Sequence, residues 1–313
     1  MSAPLSAESS VVSRLARRWN DFFFAERAVY PAVYFRIVLA SWTILFFLPR
    51  LPHFAELYTT AGVHVPHPWL VRVGAVIELP MVGVELLFAL LLALLIAFGI
   101  GATHARRAHL PIMAILAYFF SYDISTVRGY GQLAFYQWLV LFCLPYDRLK
   151  DTEGNVFCAP RWGLRLATML FSSVYLFSVC AKTIGGEGWF DGRTLYYTFR
   201  GQDYGQFLLS AWFPISLDVA RVLGWATLAS ECFVGLGLWH PRTKRLAMFV
   251  CVGMHTMMAL TMRVSILFHL LMVAHLPLFF STETWERLAT RFGRSKGGGG
   301  SPSSISDLRR TPM

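Results

Sequence analysis

Residues 81–101 read MVGVELLFALLLALLIAFGIG, an apolar run broken by a single charge, Glu85. At ~1.5 Å per residue a helix of this length covers about 30 Å, the thickness of a bilayer's hydrocarbon core. A helix apolar on every side has no face to offer water and must be surrounded by protein or lipid. The rest of the chain is too apolar for the first solution. Of 313 residues, 56% are hydrophobic and only 15% charged, and counting Gly in place of Tyr raises the apolar share to about 60%, against roughly 45–50% in soluble domains. The mean hydropathy of +0.51 agrees. Disordered, collagenous and disulfide-rich secreted chains are excluded, and the sequence reads as an integral membrane protein.

Segments of similar character recur on both sides of this run. Eight spans are expected, at 33–48, 81–101, 110–122, 132–145, 164–182, 215–239, 246–261 and 266–280, forming an all-α, polytopic helical bundle. The hairpin around Arg263 is the least marked of the connections. The formal net charge of +10 tests this count. With the N-terminus inside, the inner segments hold Arg14, Arg17, Arg18 and Arg27, then Arg106 and Arg107, then Arg148, Lys150, Arg161 and Arg165, then Arg242, Lys244 and Arg245, and the basic residues of the tail. That places 19 Lys and Arg inside against 6 outside, as the positive-inside bias requires. The basic surplus therefore belongs to cytoplasmic loops of a multi-pass protein of the cell inner or plasma membrane, with both termini cytoplasmic, and no nucleic-acid partner is implied.

Three regions follow. Residues 1–29 are a cytoplasmic segment without an apolar signal-peptide core. Within it Val12, Leu15, Trp19, Phe22 and Phe23 recur at helical spacing opposite Arg14, Arg17 and Arg18, the pattern of an interfacial helix on anionic membrane lipids. Residues 30–281 form one membrane domain without internal repeats. Residues 282–313, with Gly297 to Gly300, are expected to be a flexible basic tail. The five cysteines form no CxxC pair and no extracellular disulfide framework.

Ionisable residues within spans are costly and mark candidate sites. Arg36, Glu85, Lys182, Glu231, His255 and His269 qualify. Arg36 and Glu231 are structural candidates that would pair with each other, and Glu85 reaches toward the outer interface. No HxxxH or ExxH spacing joins His255 and His269, so no metal site is expected. Lys182 stands apart. Counted from Leu164, it lies ~27 Å along its helix, at the outer edge of the hydrocarbon. Desolvation there favours the neutral amine, a base near neutral pH, unless the side chain extends to water. The Gly-rich turn from Gly185 to Gly192 carries Trp189 and is placed to fold over the lysine.

At these residues the chain resembles a known family. The run 182–199 (KTIGGEGWFDGRTLYYTF) is similar to the Lys, Trp, Asp/Glu, Gly signature of the horizontally transferred transmembrane (HTTM) domain, the membrane half of vitamin K-dependent gamma-carboxylases. In the same order, 35–41 (FRIVLAS) resembles the Arg motif of the first helix, 57–66 (LYTTAGVHVP) a loop motif, 130–135 (YGQLAF) the fourth helix, 231–235 (ECFVG) the acidic residue of the sixth, and His255 the histidine of the next. The match covers 30–281.

The resemblance implies that Lys182 is the base that deprotonates reduced vitamin K or menaquinone. Oxygen then yields a stronger base that takes a proton from a glutamate before CO2 adds, a lyase chemistry that leaves the quinone epoxide. Trp189 and His255 become the candidates to bind the quinone, which reaches them through the bilayer, and an extracytoplasmic peptide or small molecule becomes the acceptor. No metal or flavin is implied. Two departures matter. The Asn-His pair that supports the family's base is replaced by Ser125 and Thr126, so activation of Lys182 must come from elsewhere. Only 32 residues follow Ser281, so the domain that presents protein glutamates is not expected. The Lys-to-Trp spacing is also longer than the family's. The competing reading is a non-catalytic lipid-binding or assembly scaffold that keeps the fold. A transporter lacks support from repeats or paired broken helices, and a haem or di-metal enzyme lacks the histidine spacing.

Overall fold

The computed structural model describes residues 11–62, 65–66, 68–72, 78–101, 105–122, 124–150, 153, 155–201, 215–262 and 264–293, with the side chains of 69–70, 124–128, 187 and 292–293 excepted. In chain order it contains α1 (Val11–Phe23), β1 (Glu26–Ala28), α2 (Tyr30–Phe47), a 3-10 turn (Leu48–His53), α3 (Phe54–Tyr58), α4 (Pro68–Arg72), α5 (Met81–Ile100), α6 (Ala105–Tyr122), α7 (Ile124–Phe142) and β2 (Cys158–Pro160). There follow α8 (Trp162–Gly185), α9 (Glu187–Phe190), α10 (Arg193–Arg200), α11 (Leu217–Gly237), α12 (Lys244–Thr261), α13 (Ile266–Ala274), a second 3-10 turn (Leu276–Phe279) and α14 (Thr282–Gly293). The all-α class is as expected, the two three-residue strands being a single antiparallel clasp.

Each of the eight expected apolar segments is helical over most of its length, but they differ as membrane candidates. The helical stretch Tyr30–Tyr58 and helices α5, α8 and α11 are long and apolar enough to cross a bilayer, and counting the broken C-terminal helices gives five. The others fall short for visible reasons. α6 carries Arg106, Arg107 and His109 in its first turns, and α7 carries Gln132 and Gln137. α13 has nine residues, about 13 Å of helix. It stops there because Pro277 supplies no N–H and disfavours a helical residue before it, and the chain tightens into the 3-10 turn. The turn at Arg263 lies outside the described residues.

The core is one apolar cluster that runs through α2, α5, α6, α7, α8, α11, α12 and α13. Polar side chains set the register of these helices. Tyr34 donates to Ala274 O at 2.9 Å and Trp42 Nε1 to Leu267 O at 2.8 Å, which fixes α2 antiparallel to α13. Trp138 Nε1 donates to Thr43 Oγ1 at 3.0 Å. His109, fully buried, bridges Tyr146 Oη at 2.6 Å and Trp138 O at 3.0 Å. A buried donor or acceptor left alone costs ~1–3 kcal/mol, so these contacts favour one alignment of the helices over its slipped alternatives.

Arg36 and Glu231 do not pair with each other, contrary to expectation. Arg36, 6% exposed, donates instead to the backbone carbonyls of Tyr146 at 2.9 Å and Gly99 at 3.5 Å. The carbonyls left open where α5 ends are a natural partner for a cation. Gly101 makes that approach possible: it has φ +85°, and a Cβ there would lie 2.6 Å from Arg36 Nη2.

Helix α1 leaves Val11, Val12, Leu15 and Trp19 uncovered by protein, as an interfacial helix would. Its last carbonyls are held by Arg161, whose Nε donates to Phe22 O at 3.0 Å, and by Arg165, whose Nε donates to the same oxygen at 3.2 Å. The described residues from Phe280 onward, 280–293, belong to a separate unit. The expected flexible tail opens with helix α14, whose Trp285 ring lies 6.1 Å, centre to centre, from that of Phe280 just ahead of the helix, and residues 294–313 lie outside the described residues.

Replacing Gly101 with Ala should cost roughly 1–3 kcal/mol, from the left-handed backbone strain and displacement of the Arg36 guanidinium. Thermal unfolding of the detergent-solubilised protein measures it, and an unchanged midpoint would contradict the packing described for Arg36.

Candidate functional site

Lys182 lies three residues before the end of α8 and Glu231 six residues before the end of α11. The two helices run antiparallel, since Trp239 Nε1 donates to Ser172 Oγ at 2.8 Å at their other end. This brings Lys182 level with Glu231, and Lys182 Nζ forms an ion pair with Glu231 Oε1. The pair is largely shielded, with side-chain exposures of 18% for the lysine and 8% for the glutamate. The second carboxylate oxygen, Oε2, is buried and has no hydrogen-bond partner.

The segment after α8 covers the amine, as expected. Lys182 Nζ stands 4.5 Å from the centre of the Trp189 ring, a cation–π geometry. Trp189 is held by a second small apolar cluster of Leu195, Phe199, Ile215 and Ala220. Gly192, at φ +84°, lets this segment touch α11, because a Cβ there would fall 2.4 Å from Arg221 N. Asp191 accepts from the Arg193 N–H at 2.9 Å at the start of α10, and that bond holds its carboxyl below the usual carboxylate range. On the other side Thr183, Ile184 and Gly185 are exposed, Ile184 to 88%. The amine is thus roofed by Trp189, and the last turn of α8 beyond it is exposed.

The predicted His255 does not touch Lys182. It belongs to an adjoining polar row: Tyr175 Oη lies 2.8 Å from His255 Nε2 and 3.2 Å from Cys251 Sγ, and His255 Nδ1 lies 3.0 Å from His269 Nδ1. Tyr175, His255 and His269 are each at most 3% exposed, and Cys251 is fully buried. Tyr175 was not among the sequence candidates. Its signal was its place seven residues before Lys182, which puts both on one face of a helix. Among the described residues no three His, Cys, Asp or Glu side chains are arranged to hold a metal ion. Arg36 lies apart, bonded to the carbonyls already described. Glu85 is an exposed residue in the second turn of α5. The side chains of Ser125 and Thr126 lie outside the described residues. Compared with known proteins, the chain matches no family model, no curated protein and no solved structure.

Removing one partner of a shielded ion pair strands the other. Glu231→Leu should therefore destabilise the protein by about 2–3 kcal/mol, below the 3–5 kcal/mol of a fully buried pair because Lys182 retains some exposure. The double variant Lys182→Met/Glu231→Leu should recover to within ~1 kcal/mol of wild type. Additive losses in this cycle, read by thermal unfolding, would mean that the two side chains do not interact.

Proposed function

We propose that this chain is an eight-span membrane enzyme with both termini cytoplasmic, whose Lys182 acts as a base on a lipid hydroquinone. The observation that carries the reading is the Lys182–Glu231 pair, shielded from water beneath Trp189. An amine that must accept a proton has to be neutral first. In a site of low polarity a charged ammonium–carboxylate pair loses most of its hydration, and moving one proton from nitrogen to oxygen gives a neutral pair with the hydrogen bond intact. Glu231 then holds the proton and Lys182 presents its lone pair. This assigns to Glu231 the supporting role that the HTTM-like family gives to the Asn-His pair replaced here by Ser125 and Thr126.

The residues fit a phenolic ligand. Glu231 Oε2 is a buried acceptor without a partner, and the lysine amine is bonded to the other oxygen of the same carboxylate. A hydroquinone bound there supplies an acidic hydroxyl and, with oxygen, the oxidising power for epoxide formation. The chain's own residues orient that hydroxyl, exclude water under the Trp189 ring and receive its proton at Lys182 Nζ. Reduced vitamin K or menaquinone is the co-substrate of this reading, and a small molecule or peptide from the outer side is the carboxyl acceptor.

The competing reading is a non-catalytic scaffold in which the same pair only joins α8 to α11, and the replacement of the Asn-His pair favours it. Supplying purified protein with reduced menaquinone and oxygen separates the two. Epoxide should form with wild type and fall by at least ~100-fold in Lys182→Ala, as loss of a general base requires. Equal rates in both, or no epoxide from either folded protein, would exclude the enzyme and leave the scaffold.

The span count has its own check. Cys158, exposed between α7 and α8, should react with an impermeant thiol reagent only from the cytoplasmic side of oriented vesicles, and a cysteine placed at Asp191 only from the other. Labelling of both positions from one side would refute the topology.

A further inference from the structure

Three arginines come together at the end of α8 remote from Lys182. Arg161 and Arg165 stand one helical turn apart and both reach the last turn of α1. Arg161 Nε and Arg165 Nε donate to the same oxygen, Phe22 O, at 3.0 and 3.2 Å, so two like charges meet at one atom. The Arg165 guanidinium also lies over the Phe22 ring, 4.1 Å from its centre, and 5.6 Å from that of Trp239. Arg27 arrives through the clasp: β1 pairs with β2 so that Arg27 stands opposite Ala159, two residues before Arg161. Arg27 and Arg161 line one shallow recess, whose other walls include Val29, Ala32, Leu144 and Leu164.

These cations lack a counter-ion. Among the described residues no carboxylate is in ion-pair contact with Arg27, Arg161 or Arg165. Asp21 offers Arg161 its backbone oxygen and not its carboxylate. Glu26, the neighbour of Arg27 in β1, points to the opposite face of the strand and takes no part in the recess. The end of α1 supplies only about half an elementary negative charge. Arg161 and Arg165 are nevertheless half-buried, and burying unpaired charge is costly unless an anion joins it. Burial and then the charge of Arg27 hold Arg161 below the usual arginine range, with Asp21 offsetting only part of the effect.

We propose that Arg27, Arg161 and Arg165 bind the phosphate headgroup of an anionic phospholipid, seated across the mouth of the recess. Guanidinium groups present N–H pairs that match phosphate oxygens, and the donors are at hand. Arg161 Nη1 and both terminal nitrogens of Arg165 are outside the bonds to α1, and Arg27 makes no hydrogen bond among the described residues. The apolar half of a lipid has a place beside them. Trp162, Leu166 and Met169 are exposed at the i, i+4, i+7 spacing of one helix face, a strip for acyl chains next to the arginines. A zwitterionic headgroup fits poorly, because its own cation would enter the same positive field. The site stands whether or not Lys182 is a base. It rests on α8 crossing the bilayer, which the Cys158 and Asp191 labelling tests separately.

Titrating the detergent-solubilised full chain with short-chain phosphatidylglycerol, with thermal unfolding as the readout, tests the site. The wild-type midpoint should rise with phosphatidylglycerol and stay unchanged with phosphatidylcholine of the same chain length. Arg27→Gln removes a cation that holds nothing inside the protein, so its lipid-free midpoint should match wild type while its apparent affinity for phosphatidylglycerol falls ~10-fold or more. The triple variant Arg14→Gln/Arg17→Gln/Arg18→Gln strips the polar face of α1 and should keep the affinity within about 2-fold at physiological salt, where distant surface charges are screened. Equal stabilisation by the two lipids, unchanged affinity in Arg27→Gln, or an equal loss in the triple variant would overturn the site. Inorganic phosphate or glycerol phosphate that stabilises at the same concentrations as the lipid would assign the arginines to a soluble phosphate and overturn the lipid.

Discussion

A polar group inside an apolar bundle has no water to bond and must find its partner on another helix. Most of the helix alignments in this protein follow from that constraint. Tyr34 and Trp42 fasten α2 to carbonyls of α13, Arg36 fastens it to the end of α5, Thr43 receives Trp138 of α7, and Ser172 receives Trp239 at the far end of α11. Apolar packing fills the spaces between, but it is nearly indifferent to sliding one helix along another. The directional bonds are what distinguish one register from the next.

The candidate site is the same constraint applied to two full charges. Lys182 and Glu231 meet because α8 and α11 are antiparallel and level, and Trp189 closes over them because its own apolar cluster holds the following segment down. A pair of this kind contributes little net stability, since the cost of dehydrating both ions nearly cancels their attraction. Its chemical consequence is larger: a proton can pass between nitrogen and oxygen without any change in net charge. In the proposed reaction this replaces the support that the resembling family draws from an Asn-His pair just before its fourth helix.

How far the sequence could be read depends on whether a property is local. Apolar length located the helices, and the α1 face with Val12, Leu15 and Trp19 was visible from spacing alone. The positions where α13 ends and α14 begins were not anticipated, because the expected span at 266–280 was judged by apolar content, which Pro277 does not change. Of the site, Lys182 and Trp189 were legible through the Gly-rich turn between them. Tyr175 was passed over, since its one mark, a place seven residues before Lys182 on the same helix face, is shared by many core residues of an apolar helix. Arg36 and Glu231 were recognised as polar residues needing partners, and the partners assigned to them were wrong: their heights within the bundle depend on helix packing that spacing along the chain does not encode.

By itself the sequence determined that this chain is helical, apolar beyond what a soluble surface allows, and charged chiefly in its connections. Those are sums over neighbouring residues, and helix formation and partition into an apolar medium both act over one or two turns. Only the tertiary structure decided which buried charges meet. The Lys182–Glu231 pair joins residues 49 apart in the chain, and the Tyr175–His255 contact residues 80 apart. Hydrogen bonds act over about 3 Å, so they depend on where whole helices come to rest, and that is a property of the assembled core.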